Sequence, residues 1–352
     1  MGVVPGFNNG PPIAWSAMSR TRRPPGALAL GLAVLVGVAG SAGVLVSAKD
    51  TTENVERVPA EVQEVLEAPS NDAPAQNFLL VGSDSREGVD QSDPNAGAIG
   101  DADDVVAQRS DTIMVLRRER DGAASLLSLP RDLWVPIAGT DHSGKINSAY
   151  NEGPRRLVAT VTEALGIPIN HYVEIDFAGF TSLVDAIGGV EICTLYAVQD
   201  LSSGLRLDPG CTVVDGSMAL AYARSRHYEE WIDGDWVEAP GADLGRIERQ
   251  QFFIRTTVTK LLQQIESNPF ALSDLVSAAT SAVRIDEGLD PLKAADALRE
   301  AAEVGLNTYT LPVEDVMKGD QAALELLDEA QPILDFFRGI GPAPAPPTTA
   351  PG

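Results

Sequence analysis

The chain has 352 residues, enough for one large domain or two modest ones, and its 44% hydrophobic content is that of a globular protein rather than a disordered one. Its 26 basic and 50 acidic residues give a formal net charge of −24. That balance excludes nucleic-acid binding through a general field, because a phosphate backbone demands a basic surface, and it confines any phosphate site to a local basic pocket.

The charge is unevenly distributed. Residues 1–49 contain no Asp or Glu but carry Arg20, Arg22, Arg23 and Lys49, so the remainder holds 22 basic against 50 acidic residues, a net of −28. From Gly26 to Ala48 no residue is charged and Ala, Leu, Val and Gly dominate. A helix of about 20 such residues crosses the hydrocarbon core of a bilayer. The arginines on its amino side place residues 1–25 in the cytoplasm, residues 26–48 in the membrane as a single anchor, and everything after Lys49 outside. The alternative is a cleaved signal peptide ending at Val46-Ser47-Ala48, although the apolar run exceeds a usual signal core. Either reading exports the body.

Residues 49–75 are polar, with Pro59, Pro69 and Pro74, and read as a stalk or short helix between membrane and body. The body, residues 76–340, reads as one domain, followed by a Pro-rich, disordered tail over 341–352. Short apolar runs at 78–82, 112–116 and 124–129 fit buried strands. Residues 155–165 place Leu157, Val161 and Leu165 on one helical face. A strand follows at 172–175, a helix at 180–187 stopped by Gly188-Gly189, a strand at 190–192 and a helix at 217–223. Asp243 can cap a long helix from 244 to about 265, with Ile247, Ile254, Val258, Leu261 and Ile265 on its apolar face. Residues 272–282, 291–304 and 320–338 read as mainly helical, and 308–311 as the last strand. Alternation of this kind predicts an α/β fold, a three-layer α-β-α sandwich around a central mixed sheet, preceded by the transmembrane helix.

Open α/β sheets bind ligands beyond their strand ends, and polar segments recur there. Gly82-Ser83-Asp84-Ser85-Arg86 follows the first strand, Arg109-Ser110-Asp111-Thr112 leads into the second, and Leu129-Pro130-Arg131-Asp132 closes the third. Lys145 to Tyr150 (KINSAY) comes next. Tyr222 to Arg226 ends one helix, and Gly245 to Gln250 opens another. On that last helix Arg246, Arg249 and Gln250, at i, i+3 and i+4, share a face beside free backbone N–H groups, which makes either an anion site or an ordinary solvated face. Arg109, Arg131, Lys145, Arg224, Arg226 and Arg246 all sit at element boundaries. Brought together they repel one another, and a pyrophosphate would offset that repulsion through charge-assisted hydrogen bonds of about 1.5–3 kcal/mol each. Asp84 and Asp111 singly read as turn or cap residues; together, at adjacent strand ends, they suit a Mg²⁺ (or Mn²⁺) ion shared with phosphate oxygens.

Cys193 and Cys211 are an even pair in an exported body and predict a disulfide, against the alternative of two unlinked buried thiols. His142, His171 and His227 lack the spacing of a zinc site. His227, beside Arg226, reads either as a phosphate or acceptor contact or as a surface histidine.

The blocks GSDSR, RSDTI, SLPRD, KINSAY, DFAGFTSLVDAIGGVEI, ALAYARSRH and DLGRIERQQ, in this order over residues 76–266, resemble the signature of the LytR-CpsA-Psr family of actinobacterial type. The resemblance implies an enzyme that takes a glycopolymer from a polyprenyl-pyrophosphate carrier and joins it through a phosphodiester to peptidoglycan. It implies that Asp84 and Asp111 hold magnesium, and that Arg109, Arg131, Lys145, Arg224, Arg226, Arg246 and Gln250 contact the pyrophosphate, with Asp84, Asp111 and Arg131 catalytic and Arg249 a further contact. It also implies a hydrophobic tunnel for the prenyl chain, whose lining one sequence does not assign. The acidic insertion from Glu87 to Gln108 departs from the family's spacing, and no appended domain is visible after Asp286. Arginines and a metal suffice for such phosphoryl transfer without a protein nucleophile; the proton of the acceptor goes to an aspartate or to a metal-bound hydroxide. A pyrophosphatase and a non-catalytic lipid-binding or regulatory envelope protein are the rival readings.

Overall fold

The computed structural model describes residues 55–68, 75–83, 110–119, 121–239, 249, 253, 256, 260, 282–290 and 306–345; for Asp111 and Leu306 only the backbone is described. The expected transmembrane segment, the 87–108 insertion, the helices expected at 272–282 and 291–304, and Asp84, Arg109, Arg246 and Gln250 lie outside this set. Among the described residues no helix is long and apolar enough to cross a membrane.

In chain order the strands are β1 (Glu56–Arg57), β2 (Gln76–Ser83), β3 (Ser110–Arg118), β4 (Ala124–Leu129), β5 (Trp134–Pro136), β6 (Ser143–Lys145), β7 (His171–Ile175), β8 (Val190–Thr194), β9 (Val198–Asp200), β10 (Leu205–Leu207), β11 (Gly210–Val214), β12 (Glu229–Ile232), β13 (Asp235–Glu238), β14 (Val283–Ile285), β15 (Leu306–Thr310), β16 (Val313–Lys318) and β17 (Gln321–Leu326). The helices are α1 (Pro154–Leu165), α2 (Phe177–Ala186), α3 (Gly216–Arg224) and α4 (Gln331–Arg338). Arg249, Phe253, Thr256 and Lys260 are also helical.

Seven strands form the central sheet in the order β1-β14-β7-β2-β3-β4-β15. It is mixed: β2 runs parallel to β7 and antiparallel to β3, and β4 runs antiparallel to β3 and parallel to β15. Because successive side chains of a strand point to opposite faces, its apolar runs feed two cores. Phe78, Leu80, Met114, Leu116 and Leu126 meet Leu183 and Val184 of α2, Ala219 and Tyr222 of α3, and Phe253. Leu79, Val81, Ile113, Val115 and Leu127 meet Leu157, Val158, Val161 and Leu165 of α1 and Leu334 and Phe337 of α4. This is the three-layer arrangement, and each fully buried Leu or Val stabilises it by about 1.5–3 kcal/mol.

Local chemistry sets the helix limits. Asp176 caps α2 by accepting from Gly179 N at 2.7 Å, and Asp215 caps α3 by accepting from Met218 N at 2.8 Å. Pro154 opens α1 and Gly166, at φ 69°, closes it. Two further glycines permit close packing: a Cβ at Gly179 would lie 2.2 Å from Ala282 O, and one at Gly216 2.3 Å from Thr181 O, so side chains there would force α2 off the sheet and α3 off α2. Cys193 and Cys211 face each other across the antiparallel β8–β11 pair and are joined by a disulfide.

Three expectations need correction. Residues 55–68, read as stalk, belong to the body: β1 pairs with β14, and Val55, Val58, Val62 and Leu66 are buried. Residues 321–326, within the 320–338 segment read as mainly helical, are strand; Gly319 at φ 61° and Asp320 close a two-residue turn between β16 and β17, and cross-strand pairing overrides the helix propensity of Ala322, Ala323 and Leu324. β15 is therefore followed by a hairpin and is not the last strand. At the carboxyl end, Tyr309 Oη donates to Pro344 O at 3.0 Å, which ties the first residues of the Pro-rich tail to the sheet.

Candidate active site

β2, β4 and β7 point the same way, so their carboxyl ends share one edge of the sheet, where β3 begins. The ladder slips there: Gly82 pairs with Thr112 but Ser83 with Ser110, leaving Asp111 as the extra residue of a bulge opposite the step from Gly82 to Ser83. The backbone of Asp111 thus falls on this edge, next to Ser83, which Asp84 follows in sequence. Ser83 and Ser110 are 1% and 0% exposed; the Ser110 hydroxyl has no hydrogen-bond partner in the structure, and that of Ser83 has only the Tyr150 hydroxyl nearby. Buried hydroxyl oxygens beside the backbone of Asp111 suit a hydrated cation. Among the described residues, acidic, Cys or His ligand atoms come together only at Glu191, Cys193 and Cys211, where the disulfide removes both thiolates.

On one flank, beyond β4, the turn Pro130–Leu133 is tied on three sides. Ile146 N donates to Leu133 O at 2.8 Å, Asn147 N to Arg131 O at 3.1 Å, and Leu324 N to Asp132 O at 3.0 Å. The carboxylate of Asp132 then stands between two cations, with Lys145 Nζ 2.9 Å from Oδ1 and Arg131 Nε 3.4 Å from Oδ2. Sequence reasoning gave Asp132 no role, although the cations on either side of it in the two motifs were visible.

On the other flank, beyond β7, Arg224 lies over the ring of Phe177, 4.5 Å from its centroid, and Arg249 lies 4.7 Å over Tyr228 while donating to Ser225 O at 2.5 Å. The ARSRH segment is pinned by buried Asp200, which accepts from Ser225 Oγ at 2.8 Å and from Arg226 N and His227 N at 2.9 Å each. Burial raises the Asp200 pKa, but bonds from Ser202, Ser225, His227 and Arg226 outweigh it and hold the carboxyl well below its ordinary 3.8. His227 turns outward, with Nδ1 3.3 Å from Glu238 Oε1 and its side chain 69% exposed. Asp200→Ala should leave these donors unsatisfied and destabilise the protein by about 3 kcal/mol at neutral pH. A depressed carboxyl pKa adds stability above the unfolded value and loses it in acid, so the gap between wild type and variant should narrow as pH falls below 3.8. Denaturant midpoints between pH 7 and pH 2 measure this.

Beneath the edge, Glu174 of β7 is 1% exposed and accepts from Tyr150 Oη at 2.6 Å and Tyr172 Oη at 2.7 Å. Arg284, its cross-strand partner on β14, forms an ion pair with it. Burial pushes the Tyr150 hydroxyl far above its usual value; the charge of Glu174 and its hydrogen bond add to this, and Arg284 and the nearby Ser83 hydroxyl oppose it. Tyr150 closes the KINSAY segment, so the network fastens that segment to the sheet. An acidic residue between Val173 and Ile175 in an otherwise apolar strand was the available signal for it.

The edge therefore carries Arg131 and Lys145 on one flank, Arg224, Arg226 and Arg249 on the other, and the backbone of Asp111 between. Strand order separates β7 from β4 by three steps, about 14 Å at about 4.8 Å per step. The sequence matches the model of the LytR_cpsA_psr family over residues 41–331. Cell wall biosynthesis protein LcpA of Corynebacterium glutamicum is 33% identical over 312 residues, 77% of this chain and 57% of that protein. The polyisoprenyl-teichoic acid–peptidoglycan teichoic acid transferase TagU of Enterococcus faecalis is 36% identical over 197 residues, 55% of this chain and 60% of that protein. The chain thus spans about three fifths of the length of these curated relatives. The solved LytR-Csp2A-Psr enzyme from Actinomyces oris shares the fold, with a TM-score of 0.59, 24% identity and coverage of 80% of this chain and 95% of that one. With a family match over most of its length, the chain belongs to the LytR-CpsA-Psr family.

Proposed function

We propose that the protein is an extracytoplasmic phosphotransferase, held to the membrane by residues 26–48, that moves a glycopolymer of teichoic acid, arabinogalactan or capsular type from a polyprenyl-pyrophosphate carrier to a hydroxyl of peptidoglycan. The observation that carries the reading is the pairing of two cationic flanks across one sheet edge in a strongly acidic chain. A pyrophosphate is the compact polyanion that such flanks would bridge. The names of the relatives, a cell wall biosynthesis protein and a teichoic acid transferase to peptidoglycan, support the substrate class.

In this reading Arg131 and Lys145 hold one phosphate and Arg224, Arg226 and Arg249 the other, with Arg109, Arg246 and Gln250 adding donors. The acceptor oxygen bonds to the glycan-side phosphorus, the bridging P–O bond breaks, and polyprenyl phosphate leaves with the electron pair. Asp84 and Asp111 would hold Mg²⁺ or Mn²⁺, which when bound neutralises charge on the non-bridging oxygens. The acceptor proton passes to a carboxylate at the edge. Arg224 over Phe177 and Arg249 over Tyr228 are held by their rings, which lowers the conformational cost of using them on a ligand.

The full-length protein in detergent, given a polyprenyl-pyrophosphate-linked oligosaccharide, Mg²⁺ and soluble peptidoglycan strands, should release polyprenyl phosphate only when the strands are present, with the oligosaccharide joined to them. Equal release without strands would instead assign a pyrophosphatase, and no release under either condition a lipid-binding protein.

A further inference from the structure

A cavity of about 440 Å³ opens beside Arg131 and Lys145, between the β5–β6 hairpin, the 3-10 turn Ile146–Glu152 and the start of β17. That is the size of a small-ligand site, and Arg131, Asp132, His142 and Lys145 line it together with uncharged polar side chains. Trp134 contributes a half-exposed indole, and Asn147, Asn151 and Gln321 contribute amides. Asn147 is 8% exposed, yet no hydrogen bond reaches its side chain in the structure, and the same holds for the side chains of Trp134, Asn151 and Gln321. The Asn147 amide therefore opens onto the cavity, where a ligand can take up the hydrogen bonds that no protein group supplies. Each amide offers two donors and an acceptor and the indole adds a donor beside an apolar ring face, the combination that hydroxyl- and acetamido-bearing sugars require.

We propose that this cavity is the acceptor subsite, binding a β-linked N-acetylated amino-sugar strand with one hydroxyl directed toward Arg131. The assignment rests on the phosphotransferase reading, and the asymmetry of the edge selects acceptor over donor. In-line displacement puts the attacking and leaving oxygens on opposite sides of phosphorus. The flank at α2 and α3 is apolar, with Phe177, Phe180 and Leu220 clustered under Arg224, and suits the departing prenyl phosphate. The polar cavity lies on the opposite flank, where the acceptor must enter.

The test measures binding of the full-length protein in detergent micelles to two probes: soluble uncross-linked strands of alternating N-acetylglucosamine and N-acetylmuramic acid, and a polyprenyl pyrophosphate bearing one donor sugar. Trp134→Ala and the doubly substituted Asn151→Ala, Gln321→Ala should each weaken strand binding at least tenfold and leave donor binding within twofold. Asn151 and Gln321 are exposed, so the double variant folds as the wild type does. Unchanged strand affinity in both variants, or a loss confined to the donor, overturns the assignment. If wild type binds strands but no polyprenyl pyrophosphate, the phosphotransferase reading falls, while loss of strand binding in the variants still upholds the cavity as a glycan site.

Discussion

Glu174→Ala is expected to lower the stability of the protein by about 3–5 kcal/mol, because it leaves a half-buried guanidinium and two buried phenols without their shared acceptor. Glu174 is 1% exposed and takes bonds from Tyr150 and Tyr172 as well as the ion pair from Arg284. The strength of each bond matters less than the cost of stranding its partner. Tyr150→Phe removes one donor and leaves the carboxylate with two partners, so it should cost about 1 kcal/mol. Equilibrium urea unfolding compares them: the midpoint should fall steeply for Glu174→Ala and slightly for Tyr150→Phe, with the slope unchanged. Equal costs would mean that the network stabilises through packing alone. The same pair of variants reports on function, since Tyr150 holds the segment that carries Lys145 and Asn147 at the mouth of the cavity.

The parts of this fold that could be read from sequence are those in which one residue's neighbours along the chain decide its environment. The runs at 78–82, 112–116 and 124–129 are buried on both faces and became β2, β3 and β4; the apolar stripe of 155–165 became α1. Strands that owe their existence to a partner were illegible. β9, β12 and β13 carry Gln199, Glu229, Glu230 and Asp235 and pair into a separate four-stranded sheet without a hydrophobic signature. Residues 321–326 have good helix formers and still form β17, because β16 lies across a two-residue turn. In the site, the cations were visible as boundary residues, but the carboxylates that aim them were not. Asp132 touches both Arg131 and Lys145, and Asp200 reaches the ARSRH segment across 25 residues to Ser225. Such pairings depend on topology, which a local pattern does not encode.

Arg131→Ala should reduce transfer about 10²- to 10³-fold, the scale for losing one preorganised donor to developing charge, while moving thermal stability little. The turn that holds Arg131 is fastened by backbone bonds to Leu133, Asn147 and Leu324, none of which uses the guanidinium, so truncation should leave the turn in place. Asp132 would then keep its pairing with Lys145 at 2.9 Å, offsetting the charge of that lysine. The loss should therefore exceed that of a single phosphate contact. Asp132→Asn added to Arg131→Ala releases Lys145 from this pairing and should recover part of the activity, which a purely structural role for Arg131 does not predict. Arg131→Lys should fall between wild type and Arg131→Ala, since a lysine keeps the charge but not the fork. Two measurements decide it: polyprenyl phosphate release by the purified variants, and glycan covalently bound to peptidoglycan in a deletion strain complemented with each. An Arg131→Ala variant that transfers at the wild-type rate would remove the β4 flank from the pyrophosphate site and leave the arginines beyond β7 to hold it alone.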